Sequence, residues 1–255
     1  MSEPATDTAL VLRNVADGVA EIRMNRPDVR NALSHELIEA LETAIDAVEK
    51  DPEIRVVVLA GEGKSFCAGM DLKAVAKDPH AMADMLRALS RVMRRVRRLR
   101  MPVVARVQGA AIGGGCGLMV VCDFAVTHAS AKLGYPEVDL GICPAVVAPW
   151  LVKKIGAGPA RAMLLAGGTM SGHEGHERGL TTHCVEEADQ LDAAVDELAS
   201  RLASGGPEAM AATKRWLNEL DGSDEDATLD AAAELSARMI AGDEAQTRLK
   251  KVWAR

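Results

Sequence analysis

The feature that most constrains the fold of this 255-residue chain is an aliphatic segment, IRVVVLA, at residues 54–60. A strand with one face in solvent alternates apolar and polar residues, whereas a run like this is typical of a strand covered on both faces. Apolar residues at helical spacing precede the segment in residues 37–48 and follow it in residues 82–99. We therefore predict an α/β core.

Local signals define the elements around this strand. The apolar segments 10–15 and 19–24 are joined through Asp17-Gly18, a pair that tolerates positive φ, and they predict a hairpin. Ser34 is placed to cap the helix that follows it. A further strand at 102–107 runs into a glycine cluster, inside which we expect a helix to begin.

The rest of the chain predicts short strands and then helices. Helices and strands alternate loosely up to about residue 144, after which the chain is mainly helical. We expect an α/β core over residues 1–195 and a helical region over residues 196–255. The further strands are predicted at 124–127 and 132–134, and the clearest late helices at 189–203, 207–219 and 228–240.

The composition excludes several classes of function. A net charge of −7 is the wrong sign for a general nucleic-acid binder, and three Trp, two Phe and one Tyr are few for base stacking. The polar N-terminus lacks a secretion signal, and no stretch of about 18 apolar residues indicates a membrane span. The five cysteines contain no C-x-x-C pair. We therefore expect reduced thiols in a cytoplasmic protein without membrane or nucleic-acid partners.

Three motifs for phosphate, dinucleotide and metal binding are incomplete. The GKS at residues 63–65 lacks the earlier glycine of a P-loop, because Val58 holds that place. The cluster that begins at Gly113 has no third glycine at the spacing of a dinucleotide fingerprint. In HEGH at residues 173–176 the second histidine comes too early for a zinc helix, which favours an exposed helix start after Ser171. We expect no metal site.

Six arginines lie within residues 91–100. One interpretation is the solvated face of the helix predicted at 82–99. The other is an anion site, for a phosphorylated ligand or for an acidic neighbouring subunit. The sequence alone leaves both interpretations open.

Two loops rich in small residues each leave an apolar strand. We call them the first glycine loop, residues 65–72 (SFCAGMDL), and the second glycine loop, residues 109–115 (GAAIGGG). Glycine lets the backbone approach a ligand closely, and the first turn of a helix presents unbonded N–H groups. Two such loops side by side can direct two N–H donors at one oxygen, which stabilises an oxyanion or enolate by about 3 kcal/mol per donor.

Glu137 lies beyond these loops in an otherwise apolar junction, LGYPEV. Apolar surroundings raise the pKa of a carboxyl group, which suits a base that abstracts a proton near neutral pH. A salt bridge in a loop is the alternative interpretation, and the two glycine loops favour the base.

Four motifs together resemble the crotonase (enoyl-CoA hydratase/isomerase) superfamily and cover nearly the whole chain. They are NRP and NAL at residues 25–33, FCAGMDL at 66–72, QGAAIGGGCGL followed by CD at 108–123, and YPEVDLGICP at 135–144. The resemblance implies a spiral of strand-strand-helix units with a C-terminal helical trimerisation region, and hence a homotrimer or a dimer of trimers. It also implies an acyl-CoA thioester substrate and no cofactor, since coenzyme A is part of the substrate.

The resemblance also implies roles for individual residues. The backbone N–H groups of Met70 and Gly114 would form an oxyanion hole, and Glu137 would be the base. One of the two lysines at 250–251 would reach a CoA phosphate, and residues 74–87 with the C-terminal helices would shape the acyl pocket. The CoA groove would be lined by Arg26, Val29, Arg30, Ala32, Ala68 and Asp71.

One departure from the superfamily bears on the reaction. Two-base hydratases carry a glutamate directly after the G-G-G-C run, where this chain has Gly117. Hydration of a 2-enoyl thioester ordinarily uses two carboxylates, whereas one suffices to move a proton from C2 to C4 of a 3-enoyl-CoA. We therefore expect isomerisation, hydration or both, with Glu137 as the single base.

Three alternatives stay open. The segment 140–149 is similar to hydratases for branched, methylglutaconyl-type thioesters, in which Cys143, the backbone or a distal substrate carboxylate would hold the water. The chain could instead be a non-catalytic member that only binds acyl-CoA. The third alternative makes Cys143 or Cys67 a nucleophile in thioester hydrolysis.

Overall fold

The computed structural model describes residues 9–72 and 78–253, and this part of the chain has the expected α/β architecture. Its strands are β1 (Val11–Ala16), β2 (Val19–Met24), β3 (Val56–Gly61), β4 (Val103–Val107), β5 (Ala110–Ile112), β6 (Phe124–His128), β7 (Lys132–Gly134), β8 (Thr169–Ser171) and β9 (His183–Val185). Its α-helices are α1 (His35–Glu49), α2 (Pro79–Arg98), α3 (Gly114–Val121), α4 (Ala148–Ile155), α5 (Ala157–Ala166), α6 (Gly172–Glu177), α7 (Leu191–Ala203), α8 (Pro207–Leu220), α9 (Asp226–Ile240) and α10 (Asp243–Trp253). Short 3₁₀ helices span Pro27–Val29, Pro136–Leu140 and Ala188–Gln190.

The strands form two sheets. The larger sheet has the order β1-β2-β3-β4-β6-β9 and is antiparallel between β1 and β2 but parallel at its other pairs. The smaller sheet has the order β5-β7-β8, in which β5 is parallel and β8 antiparallel to β7. Because β3 and β4 are parallel neighbours, the loops that follow them leave from the same edge of the sheet.

Strand β3 is buried on both faces, as its sequence predicts. Val57 and Leu59 belong to the large core between the sheet and helices such as α1 and α2. Val56 and Val58 face the other way and pack in a second cluster with the apolar side of α7. Alternate side chains of one strand thus fill two cores, which explains why no polar residue alternates within VVVL.

The local signals produce the expected elements. Asp17 and Gly18 have φ of 50° and 76°, and they join β1 to β2 in the predicted hairpin. The Ser34 hydroxyl accepts the Leu37 N–H at 3.3 Å and caps α1. Helix α3 begins at Gly114, inside the glycine cluster.

Elements β5, β8 and β9 were not predicted, nor was α10. The three strands span three residues each, and segments this short carry only a weak sequence signal, although β7 of the same length was predicted. The proposed division between residues 195 and 196 lies inside α7, whose Leu191 and Leu198 both pack on the larger sheet. That division stays a prediction.

The arginines of residues 91–100 make ionic and hydrogen-bond contacts within the chain, a role that neither sequence interpretation named. Arg94 of α2 pairs with Asp226 and Asp230 of α9 at 3.2 and 2.6 Å. Arg95 instead pairs with Asp46 and Glu49 of α1. The remaining contacts are Arg91 with Glu42, Arg97 with Asp221, Arg98 with Asp224 and Asp226, and Arg100 with the Asp51 carbonyl. These ion pairs join α2 to the helices and loops packed against it.

Two further observations concern the described ranges as a whole. No helix within residues 9–72 and 78–253 combines the length and apolarity needed to cross a bilayer. In the same ranges, His, Cys, Asp and Glu side chains form no group of three or more that could hold a metal ion. His173 and His176 lie in α6, which the Ser171 hydroxyl caps as expected.

Candidate active site

The two glycine loops run side by side at the carboxyl edge of the larger sheet. The Cys67 N–H donates to the Ala110 carbonyl at 2.9 Å, and the Ile112 N–H donates to the Cys67 carbonyl at 3.0 Å. Gly69 has a φ of +91°, and a Cβ there would lie 2.7 Å from the Ile112 oxygen. Only glycine lets the loops approach this closely.

Two backbone N–H groups without a described acceptor lie at this junction. Leu33 bonds to the residues on either side of Met70, so Met70 directs its own N–H away from Leu33. The Gly114 N–H belongs to the first turn of α3, where helical N–H groups have no intrahelical acceptor. Among the described hydrogen bonds neither N–H has an acceptor. The two residues are close, since a Cβ on Gly114 would lie 3.7 Å from Met70 Cγ.

Glu137 lies against the second glycine loop. It belongs to the 3₁₀ helix Pro136–Leu140, which ends at Gly141 with a φ of 72°. A Cβ on Gly113 would lie 3.0 Å from Glu137 Oε1, so the carboxylate lies beside the residue that precedes Gly114. The other carboxylate oxygen, Oε2, is buried without a hydrogen-bond partner. One cavity is lined by Met70, Gly114 and Glu137 together.

The electrostatics of Glu137 match the sequence prediction. Burial raises the pKa of this carboxyl group from 4.5 to about 7, while a backbone hydrogen bond has a smaller effect in the other direction. At neutral pH a large fraction of Glu137 is therefore ionised and can accept a proton. The unpartnered oxygen is free to receive it.

The rest of the cavity wall is mostly apolar. Ala68 of the first glycine loop lines it, and α9 contributes Ser236 and Ile240. Of the predicted acyl-pocket region, residues 74–77 lie outside the described residues, whereas Leu86 does line the cavity. Glu137 is the only charged side chain in the described lining. The other apolar lining residues are Leu72, Leu89, Ile112, Pro136, Leu140, Ile142, Pro144, Val146 and Val147.

Gly117 is packed tightly behind this wall. A Cβ at this position would collide with the Met93 methyl group and would lie 2.6 Å from Val147 Cγ1. Both side chains belong to the buried core. The space that a side chain at Gly117 would need is therefore filled by apolar groups, and Glu137 remains the one carboxylate of the described site.

The residues expected in a CoA groove fall into two groups. Val29 and Arg30 are exposed, and their side chains are open to a ligand. Arg26 and Asp71 form an ion pair at 3.0 Å, and the Arg26 guanidinium also donates to the Ala32 carbonyl. Arg26 and Asp71 therefore connect chain segments. The lysines at 250–251 lie in the last turns of α10.

Asn31 is a site residue that the sequence analysis did not single out. It is buried with a φ of 55°, and its side-chain amide donates to the Ser65 carbonyl at 2.8 Å and the Glu62 carbonyl at 3.0 Å. It therefore holds the start of the first glycine loop. Asparagine adopts a positive φ more readily than most residues, so the asparagine shortly after NRP could have indicated a tight turn.

The thiols contribute little nucleophilicity. Burial raises the pKa of Cys67 to about 12, and its Sγ donates to the Asn31 carbonyl at 3.2 Å. Burial also raises the pKa of Cys143, which lines the cavity. Both cysteines are thiols at neutral pH, which disfavours the hydrolytic alternative.

The sequence comparison identifies the family. A sequence model described as enoyl-CoA hydratase/isomerase matches residues 14–252. The chain belongs to the enoyl-CoA hydratase/isomerase family. It is thus an enzyme of the hydratase/isomerase type with the crotonase fold, as the sequence motifs indicate.

Relatives of this enoyl-CoA hydratase/isomerase include several named hydratases. The enoyl-CoA hydratase EchA19 of Mycobacterium tuberculosis is 35% identical over 230 residues, which cover 88% of this chain and 86% of that protein. The human mitochondrial methylglutaconyl-CoA hydratase is 31% identical over 227 residues, covering 86% of this chain and 67% of that protein. The solved structure of an enoyl-CoA hydratase/isomerase from Xanthobacter autotrophicus Py2 has a TM-score of 0.88 at 26% identity, covering 96% of this chain and 93% of that one.

Proposed function

We propose that this enzyme moves the double bond of a 3-enoyl-CoA into conjugation with the thioester, with Glu137 as its single base. The observation that carries this proposal is the packing of Met93 and Val147 around Gly117. It leaves one carboxylate beside two unbonded N–H groups in an apolar cavity. One base that gives back the proton it takes is sufficient for an isomerisation.

The mechanism assigns one step to each group. Glu137 accepts the proton from C2, and the electron pair moves onto the thioester oxygen as an enolate. The N–H groups of Met70 and Gly114 donate to that oxygen and stabilise its charge. The same carboxyl group returns the proton at C4, and the double bond forms between C2 and C3. No water enters the product.

The test is product analysis by chromatography and mass spectrometry on a matched pair, a 3-enoyl-CoA and its 2-enoyl isomer. We expect the 3-enoyl compound to convert without a change in mass. The control is Glu137→Gln, which keeps the shape of the side chain but cannot accept the C2 proton. Full turnover by this variant would contradict the assignment of the base.

Hydration is the second candidate, and the comparisons favour it. Relatives include the short-chain-enoyl-CoA hydratase of Clostridium acetobutylicum, 32% identical over 203 residues, and the methylglutaconyl-CoA hydratases. In that case Glu137 would activate a water held by another group, such as the backbone beside Cys143. Gain of the mass of one water by the 2-enoyl compound, without isomerisation of the 3-enoyl compound, would replace the first proposal with this one.

Binding without catalysis and thioester hydrolysis give different signatures. A non-catalytic member would bind acyl-CoA but would not exchange the C2 proton with deuterated solvent. A hydrolase would release free CoA, which a thiol reagent detects. Exchange that depends on Glu137, with no release of CoA, supports the enolate mechanism over both.

We also propose that the enzyme assembles as a homotrimer or a dimer of trimers. Helix α8 supports this, because it exposes Trp216, Leu217 and Leu220, with 59%, 53% and 64% of each residue accessible in the single chain. Exposed apolar residues grouped on one helix are typical of an interface. Light scattering after gel filtration measures the mass, and a monomer would contradict this proposal. A cytoplasmic location stays a prediction from the sequence.

A further inference from the structure

Met70 lies in a segment that is tied to residues 26–33 on both of its sides. The Ala68 N–H donates to the Arg30 carbonyl at 2.9 Å, before Met70. The Leu33 N–H donates to the Gly69 carbonyl at 2.8 Å, and the Asp71 N–H donates to the Leu33 carbonyl at 2.9 Å. The direction of the Met70 N–H therefore depends on where residues 26–33 lie.

The Arg26 side chain spans the same junction. Its Nη2 donates to Asp71 Oδ2 at 3.0 Å, immediately after Met70, and its Nη1 donates to the Ala32 carbonyl. One rigid guanidinium thus contacts both segments at once. The Arg26 and Asp71 side chains are only 22% and 16% exposed, so solvent screens the pair less than it screens a surface ion pair.

Arg26 is itself held in place by Asn31. The Arg26 N–H donates to Asn31 Oδ1 at 2.8 Å, and the Asn31 N–H donates to the Arg26 carbonyl at 2.9 Å. The backbone from which the guanidinium extends is therefore fixed. Arg26 is thus placed to support a neighbouring segment, because its backbone N–H, Nη1 and Nη2 all donate to acceptors of the protein.

We propose that Arg26 and Asp71 are positioning residues, which hold the Met70 N–H in the direction required by the thioester oxygen, and that they do not bind CoA directly. This inference rests on the proposed function only in that it places the thioester oxygen at Met70 and Gly114. A hydrogen-bond donor stabilises a developing charge only if its geometry is set beforehand, so a small shift of Met70 weakens it. Lysine cannot replace Arg26, because its single ammonium lacks the planar fork that reaches two separated acceptors.

The test compares two ligands that differ only at the thioester carbonyl. One is a saturated short-chain acyl-CoA, and the other is the matching alkyl-CoA thioether, which lacks the carbonyl oxygen. Titration calorimetry gives the affinity of each for the wild-type enzyme, Arg26→Lys and Asp71→Asn. We expect the wild type to prefer the thioester and each variant to lose about 10-fold of that preference, with thioether affinity unchanged within about 2-fold.

A second readout reports on the carbonyl itself. Infrared difference spectra of a ¹³C-labelled bound thioester should show a carbonyl band shifted to lower wavenumber in the wild type. The band should move back towards its solution position in both variants. In the Arg26→Lys, Asp71→Asn double variant the loss of preference should be close to that of either single variant, since both act through one pair.

Arg30→Ala is the matched control, because Arg30 is an exposed arginine of the same segment whose side chain lies outside this pair. It should change the affinities for thioester and thioether by the same factor. Equal losses of both ligands in Arg26→Lys would instead show that Arg26 contacts CoA, and an unchanged preference in a folded Asp71→Asn would also overturn the proposal. Isomerisation is assayed separately. A wild-type enzyme that prefers the thioester but does not isomerise a 3-enoyl-CoA would contradict only the proposed function.

Discussion

The carboxylate of Glu137 lies directly against Gly113, so close that a Cβ at Gly113 would push it away. A Cβ on Gly113 would lie 3.0 Å from Oε1 and 3.4 Å from the carboxyl carbon. Gly113 also has a φ of 55° with a ψ of −120°, a conformation that residues with a Cβ rarely adopt. Gly113, the N-cap residue of α3, therefore lies directly before Gly114 and directly against the Glu137 carboxylate.

Replacement of Gly113 by alanine should impair both parts of the site. The added methyl group pushes the carboxylate away, and the backbone conformation becomes strained by about 1–3 kcal/mol. We expect kcat to fall at least about 10-fold, in keeping with a displaced base and a misdirected donor. Steady-state kinetics measure this, and Gly158→Ala is the control, because a Cβ there meets nothing within 4 Å. Equal activity of both variants would contradict the prediction.

The pH dependence of the reaction should follow the ionisation of Glu137. Burial raises its pKa to about 7, and only the carboxylate form accepts a proton. We expect kcat/KM to rise about tenfold per pH unit below this value and to level off above it. The profile is measured from pH 5 to pH 9 with the isomerisation substrate. A midpoint near 4.5 would show that burial does not shift the carboxyl group.

The same pKa shift predicts how the stability of Glu137→Gln depends on pH. Because the folded-state pKa lies above the ordinary value of 4.5, the folded protein binds this proton more tightly than the unfolded chain does. The corresponding stability is complete below pH 4.5 and is lost as the pH rises through about 7. Glutamine stays neutral, so the variant should gain stability relative to the wild type, on the order of 3 kcal/mol, between pH 4.5 and pH 8. Urea unfolding at several pH values tests this, and a constant difference would contradict it.

Gly117→Ala should destabilise the fold without creating a second catalytic group. The added methyl group meets Met93 and Val147, and overpacking of this kind costs about 1–3 kcal/mol. The double variant with Met93→Ala should lose less stability than the sum of the two single losses, because the smaller side chain vacates the contested space. Denaturant unfolding measures both. If the stability losses of Gly117→Ala and Met93→Ala simply add in the double variant, Met93 is not the side chain that clashes with the added methyl group, which would contradict the prediction.

Arg94→Ala should reduce stability without weakening the binding of CoA. Arg94 is only 15% exposed and joins α2 to Asp226 and Asp230 of α9. We expect a loss of about 1–2 kcal/mol in the free energy of unfolding, with the KM for the thioester unchanged. Arg91→Ala is the control with a smaller effect, because Arg91 is 56% exposed and lies 3.5 Å from Glu42. A several-fold rise in KM for Arg94→Ala would restore the anion-site interpretation.

The sequence determined much of the fold and the main residues of the site. A segment such as VVVLA has no polar residue to place in solvent, so it predicts a strand buried on both faces. Asp17-Gly18 and Ser34 determine a turn and a helix cap through contacts only a few residues away. The glycine loops and Glu137 were recognisable from local sequence as well. Glycine allows a close approach of the backbone, and an apolar neighbourhood raises the pKa of a carboxyl group.

Only the tertiary structure decided what surrounds these residues. The arginines of α2 could have faced solvent or a ligand. The pairing of Arg94 with Asp230 of α9 instead joins residues that lie 136 positions apart in the chain. Likewise Gly117 reads as a missing carboxylate, but the packing of Met93 and Val147 against it required the folded core. Arg26 and Asp71 resemble ligand-binding residues in the sequence, and their mutual pairing follows from the meeting of two distant loops. A charged side chain pairs with whichever opposite charge lies nearby in space, and a gap is filled by whichever side chain packs beside it. No local pattern in the sequence specifies those neighbours.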